Sequence, residues 1–221
     1  MKKRLFFLVG PTAVGKTDVS IILAKRLNAE IISCDSMQVY RGMDIITSKP
    51  SSALRKRVKH HLIGIVSPCE EYNVSMYRKL TLRKIKDIIA RGKYPFLVGG
   101  TGLYMSILMD GIFEDKFRNE EIRQELYKEA ELSGSGYLHD RLKKVDPEAA
   151  AKIHANDTKR IIRALEVFKI SGNPISKLQK QRKGLIDDYE VRIFCLNMKR
   201  DKIYQRIEER VDGMSRYLKY L

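Results

Sequence analysis

The 221-residue sequence predicts an α/β fold: a parallel sheet with flanking helices and an inserted helical subdomain. Three observations carry this. Short apolar runs, Leu5 to Val9, Ile31 to Cys34, His61 to Ile65 and Tyr94 to Val98, alternate with helix-spaced segments such as Ser75 to Arg91. The first run leads directly into Gly10-Pro11-Thr12-Ala13-Val14-Gly15-Lys16-Thr17 and then a helical stretch, Asp18 to Leu27. From about Asp115 to Gln181 the strand-like runs stop, and charged segments with Leu, Ile and Ala at helical spacing replace them.

Taken in order, the strand, loop and helix of the first thirty residues form a phosphate cradle. Two glycines at G-x-x-x-x-G-K-T spacing let backbone N–H groups converge into a nest, and the following helix N-terminus adds partial positive charge. Lys16 then falls on the outer phosphate, and the Thr17 hydroxyl suits a Mg²⁺ ion bridging phosphate oxygens. The fold class is therefore a P-loop parallel sheet.

In such sheets ligands collect beyond the carboxyl ends of the strands, which directs attention to Asp35-Ser36 and Gly99-Gly100-Thr101. Asp35 ends a buried-type run, where it could hold a metal, accept a substrate proton, or simply cap a turn. Thr101 follows two glycines that let backbone approach a ligand closely; it reads equally as a ligand contact or a helix N-cap. His60 and His61 are adjacent, so on a strand they face opposite ways and read as structural or hydrogen-bonding groups rather than as metal ligands.

The clearest element of the insertion starts at Asp157, a plausible N-cap, with Ile161, Ile162, Leu165 and Phe168 on one face, and stops at Ser171-Gly172 before Pro174. Lys159, Arg160 and Arg163 lie off that stripe, as a solvated basic face would. Glu190 to Leu196 then reads as a strand rejoining the sheet, and Lys202 to Val211 as a helix carrying Arg206 and Arg210. The expected domains are 1–114 (P-loop core, first part), 115–184 (helical insertion) and 185–221 (return to the core).

Lys and Arg outnumber Asp and Glu by 43 to 27, a formal net charge of +16, which draws polyanions: nucleic acid or an acidic membrane surface. Cys34, Cys69 and Cys195 are odd in number and widely spaced, so neither a disulfide framework nor a zinc site is indicated, and a reducing cytoplasm is expected. The basic, then apolar, start breaks into the phosphate loop before a signal peptide could form, and no other segment is long enough to span a membrane.

Six blocks add a resemblance: GPTAVGKT at 10–17, IISCDSMQVYRGMDI at 31–45, HHLIG at 60–64, YNVSMYRK at 72–79, LVGGTGLY at 97–104 and DPEAAAKIHANDTKRIIRALEVFKISGNPIS at 146–176. In order and spacing they resemble the bacterial tRNA dimethylallyltransferases, also called tRNA isopentenyltransferases. The resemblance implies transfer of a dimethylallyl group from dimethylallyl diphosphate to N6 of the adenosine 3′ of certain tRNA anticodons, with that base flipped out to reach the chemistry. It implies that Gly10, Pro11, Thr12, Ala13, Val14, Gly15, Lys16 and Thr17 hold the diphosphate with Arg210. Mg²⁺ on Thr17 is the implied metal. By the same resemblance Asp35 is the general base, Lys16 and Thr101 assist catalysis, and Asp35, Ser36, Met37, Gln38, Thr101, Arg123, Lys159, Arg160, Ile161, Ile162 and Arg163 contact the tRNA anticodon stem-loop. A cytoplasmic monomer with no membrane partner is expected. Family members continue in further helix beyond the position of Leu221, so a C-terminally truncated member is expected, with Gly213 interrupting the last helix. The rival readings are a P-loop nucleotide or small-molecule kinase and an inactive tRNA-binding remnant.

Overall fold

The computed structural model describes residues 2–112 and 117–218. The expected 114/115 boundary lies outside the described residues. The chain divides into two compact units, Met1–Asp110 with Gly184–Leu221, and Gly111–Lys183.

The first unit is built on five parallel strands: β1 (Lys3–Val9), β2 (Ala29–Cys34), β3 (His60–His61), β4 (Tyr94–Gly99) and β5 (Tyr189–Cys195), in the order β3-β2-β4-β1-β5. Between them run α1 (Lys16–Arg26), α2 (Ser52–Arg57), α3 (Val74–Ala90) and α4 (Gly102–Asp110). The near-continuous apolar strands are what a sheet covered on both faces requires. Leu5, Phe7, Ile32 and Leu97 pack on one face with Tyr77, Ile85 and Ile88 of α3 and Leu108 of α4; Leu8, Ile31 and Phe96 pack on the other with Ile21 and Ala24 of α1. Alternate residues of one strand thus serve both layers.

The third strand is shorter than the run His61 to Ile65 suggests. It covers only His60 and His61, because Leu62 (φ 62°) and Gly64 (φ 60°) adopt left-handed backbone that ends the pleat. Both histidines are hydrogen-bonded: His60 Nδ1 lies 2.7 Å from the Val58 carbonyl and His61 Nε2 lies 2.7 Å from Glu30.

Glu30 is 2% exposed and also receives Arg91 (2.7 Å) and Lys93 (3.2 Å). Burial pushes its carboxyl up, but the hydrogen bonds from Arg91, His61 and Lys93 outweigh this and hold it at about 2. One carboxylate therefore ties β2, β3 and the α3–β4 turn together.

The second unit contains α5 (Glu120–Val145), α6 (Pro147–Lys152), α7 (Thr158–Ser171) and α8 (Ile175–Gln179) around its own core, which includes Leu126, Leu138, Leu142, Ile161, Ile162 and Leu165. The Asp157 carboxylate caps α7 by accepting from the Arg160 N–H at 3.2 Å, and Gly172 closes the helix in left-handed geometry (φ 67°). Back in the first unit, α9 (Leu185–Asp188) precedes β5, and α10 (Arg200–Leu218) follows it. The last helix runs straight through Gly213, so the expected interruption there is not found.

Candidate functional site

The phosphate loop emerges from β1 in unusual backbone. Gly10 (φ 144°), Ala13 (φ 61°) and Gly15 (φ 98°) all lie at positive φ, and a Cβ at Gly10 would overlap the Leu196 carbonyl oxygen. Gly15 begins α1 with no side-chain cap, leaving the first-turn N–H groups for an anion. Lys16 Nζ donates to the carbonyls of Gly10 (2.8 Å) and Pro11 (2.7 Å), which draws the ammonium over the loop. Burial lowers the pKa of Lys16, the Asp35 carboxylate opposes that shift, and the Arg210 guanidinium adds to it. Lys16, Asp35 and Arg210 therefore share one electrostatic neighbourhood.

The last helix supplies the opposite wall. Arg210 Nη1 donates to Thr12 Oγ1 at 2.9 Å, and Arg206 Nη1 donates to the Ala13 carbonyl at 3.3 Å. Arg206 is a loop contact to which the sequence reading gave no role. Its signal was available: it stands four residues before Arg210, one turn away on the same helix face.

Asp35 directly follows β2. Its Oδ1 accepts from the N–H groups of Met37 (2.9 Å) and Gln38 (3.3 Å), a turn of the side chain onto its own backbone, while Oδ2 accepts no hydrogen bond among the described residues. One oxygen is thus committed to the turn and the other is not.

Thr101 lies across from it. The Thr101 N–H donates to the Cys34 carbonyl (3.2 Å), and its hydroxyl accepts from the Ser36 N–H (3.1 Å) and donates to Ser36 Oγ (3.4 Å). The hydroxyl is therefore spent on the Asp35-Ser36 turn rather than on capping α4. Gly99 permits this approach, since a Cβ there would overlap the Cys34 carbonyl.

These groups converge on a cleft of about 760 Å³ lined by Thr12, Lys16, Thr17, Asp35, Arg206 and Arg210, with Met37 and Gln38 also on its wall. Thr17 Oγ and Asp35 are hard oxygen donors on that wall, and no group of three or more His, Cys, Asp or Glu stands together among the described residues. That donor set fits a cation taking most of its ligands from phosphate oxygens and water, as Mg²⁺ does.

The remaining expected RNA contacts belong to the second unit. Lys159 and Arg160 are exposed at the start of α7. Ile161 and Ile162 are 0% and 1% exposed and belong to the core of that unit, so the apolar stripe of α7 faces inward and their side chains offer no surface to RNA. Arg123 (3.0 Å) and Arg163 (2.7 Å) both bind the fully buried Glu166 carboxylate, which also accepts from the Asn119 N–H (3.0 Å). Burial raises the Glu166 pKa, and the bonds from Arg163, Asn119 and Arg123 bring it below the usual carboxylate range. Glu166 was not singled out in the sequence, where it stands as one more charge on a helix.

Strand, glycine loop, uncapped helix and paired guanidiniums define an α/β protein of the P-loop class. The IPP transferase profile matches residues 38–217, and an isopentenyl transferase profile matches residues 3–63. The chain belongs to the IPP transferase family. It is 52% identical over 205 residues to a tRNA dimethylallyltransferase of Thermotoga petrophila, covering 93% of this chain and 66% of that protein. Against the tRNA dimethylallyltransferase of Alkaliphilus oremlandii it is 47% identical over 215 residues, covering 97% and 68%. A crystal structure of a eukaryotic dimethylallyltransferase acting on tRNA matches with a TM-score of 0.85 at 32% identity, covering 97% of this chain and 53% of that one. The full-length tRNA isopentenylpyrophosphate transferase of Bacillus halodurans matches with a TM-score of 0.65 at 44% identity, covering 98% and 67%. The chain thus spans about two thirds of the length of the curated relatives it matches.

Proposed function

We propose that this chain transfers the dimethylallyl group of dimethylallyl diphosphate to N6 of the adenosine 3′ of the anticodon in tRNA. The observation that carries the reading is Asp35: a carboxylate with one oxygen uncommitted, on the same cleft wall as a phosphate loop and two guanidiniums. Family membership supports the same chemistry.

The diphosphate sits on the loop N–H groups and the amino end of α1, with Lys16, Arg206 and Arg210 around it. As the allylic C–O bond breaks, negative charge grows on the departing oxygen, and these preplaced donors stabilise it more than they stabilise the bound donor. Thr17 would hold a Mg²⁺ ion, which would supply further neutralisation of the diphosphate's charge. Asp35 Oδ2 accepts a proton from the adenine amino group as nitrogen bonds to the allylic carbon. Thr101 keeps the Asp35-Ser36 turn in place from the neighbouring strand end. Met37, 48% exposed beside Asp35, offers an apolar surface for the flipped base, with Ser36 and Gln38 flanking it. Lys159 and Arg160 contact RNA phosphates, and Arg123 and Arg163, clasped by Glu166, back that surface. The chain acts as a monomer, in the cytoplasm, where its RNA is found.

The test is direct. Protein, Mg²⁺, dimethylallyl diphosphate and an anticodon stem-loop should yield RNA heavier by one prenyl group. No gain in mass at high protein concentration, with stem-loop binding intact, overturns the catalytic reading; tight ATP binding in place of dimethylallyl diphosphate would mark a kinase.

A further inference from the structure

Parallel pairing sends all five strand amino ends to one side of the sheet, opposite the phosphate loop, and basic residues gather there. Lys2 precedes β1, and Lys3 and Arg4 open it. Lys25 and Arg26 stand in the last turn of α1 before β2, Lys59 precedes β3, and Arg91 and Lys93 precede β4. Basic side chains at helix carboxyl ends answer the helix dipole, which accounts for Lys25, Arg26 and Arg91. It does not account for Lys2, Lys3 or Lys59. Arg4 pairs with Glu190, and Arg91 and Lys93 pair with Glu30, whereas Lys3, Lys25 and Lys59 are exposed and make no ion pair among the described residues.

This side also has a shape. A groove of about 610 Å³ is lined by Lys2, Lys3, Arg4, Lys93, Tyr94 and Glu190, and the Tyr94 ring, 40% exposed, lies open in it. With β1 and β4 seven and six residues long, at about 3.3 Å per residue, the groove lies about 20 Å from the phosphate loop, too far to serve the reacting groups.

We propose that this groove is a second RNA-binding surface, which takes the phosphate backbone of a helical part of the substrate away from the modified base. Closely set cations with one aromatic face among them suit a phosphate track with room for a stacked base. A lipid surface would call for several apolar side chains to insert, and among the described residues Tyr94 is the one large exposed hydrophobic in the lining. The proposal rests on the tRNA reading for its substrate, but not on catalysis.

The test compares two triple variants for binding to full-length tRNA, to a plain RNA duplex and to a minimal anticodon stem-loop. One is K2Q/K3Q/K25Q on the groove side. The other is K79Q/R83Q/K86Q, three exposed cations on α3 that serve as a charge-matched control. The groove variant should bind tRNA and duplex about tenfold more weakly, with the salt slope smaller by about two to three, while stem-loop prenylation is unchanged. The control should lose no more than about twofold. Equal losses in both variants, or none in either, overturn the proposal. Failure of the transfer reading would appear separately, as absent prenylation in the unsubstituted protein.

Discussion

Glu30→Gln removes the charge from a carboxylate that ties two strands and a turn together, and its cost follows from the shifted acidity. The carboxyl falls from 4.5 to about 2 on folding. At roughly 1.4 kcal/mol per pKa unit, that is a contribution of about 3 kcal/mol at neutral pH. The sign is fixed by the direction of the shift. With the folded value below the unfolded one, the stabilisation is present above the ordinary carboxylate pKa and is lost as pH falls toward 2. Urea unfolding of wild type and variant, followed by far-ultraviolet circular dichroism, should therefore differ by about 3 kcal/mol at pH 7, and by about 2 kcal/mol less at pH 3. Measuring the difference between the two proteins cancels the titration of all other carboxylates. A gap that stays constant from pH 7 to pH 3 would refute the argument and assign the loss to packing. A gap below about 1 kcal/mol at pH 7 would show that burial offsets the ion pairs, as it does in many buried bridges.

Asp35→Asn keeps an oxygen for the turn onto Met37 and Gln38 but removes the base, so prenyl transfer should fall at least about a hundredfold while stem-loop affinity, measured by fluorescence anisotropy, stays within about threefold. Equal losses in binding and turnover would make Asp35 structural. Gly10→Ala forces a methyl onto the Leu196 carbonyl, and should cost about 1–3 kcal/mol in thermal unfolding and weaken pyrophosphate binding; normal behaviour in both would show that the loop gives way. Arg210→Ala should weaken pyrophosphate binding about tenfold by calorimetry, since a charge-assisted contact of about 1.5 kcal/mol is lost, and unchanged affinity would confine Arg210 to its bond with Thr12.

Much of this architecture is legible in the sequence. The phosphate loop and its strand and helix show in the sequence because glycine spacing and apolar runs are local signals, and the helix from Asp157 to Gly172 is marked at both ends by residues whose own backbone chemistry stops it. The return of β5 to the sheet was visible as an alternating, then apolar, run, though neither its neighbour β1 nor its register, Lys3 opposite Tyr189, was. The losses share a physical cause. Whether a charge is buried depends on partners distant in sequence, so Glu30 and Glu166 could not be told from surface acids, and Arg123 and Arg163 could not be told from free cations. The short third strand was missed because a left-handed Leu62 leaves no compositional mark. Arg206 was in view on its helix, but only the fold sets that helix against the loop.

The insertion enters at Gly111 and leaves at Lys183, and these two residues touch: a Cβ at Gly111 would overlap the Lys183 backbone. For folding kinetics this means that the intervening chain, once folded on its own core, no longer counts as loop when β5 seeks β1. The search that completes the sheet is then shortened from nearly the whole polypeptide to the residues of the first unit alone. It also means that a few residues bridging 110 to 184 should replace the insertion and leave a folded phosphate-binding core.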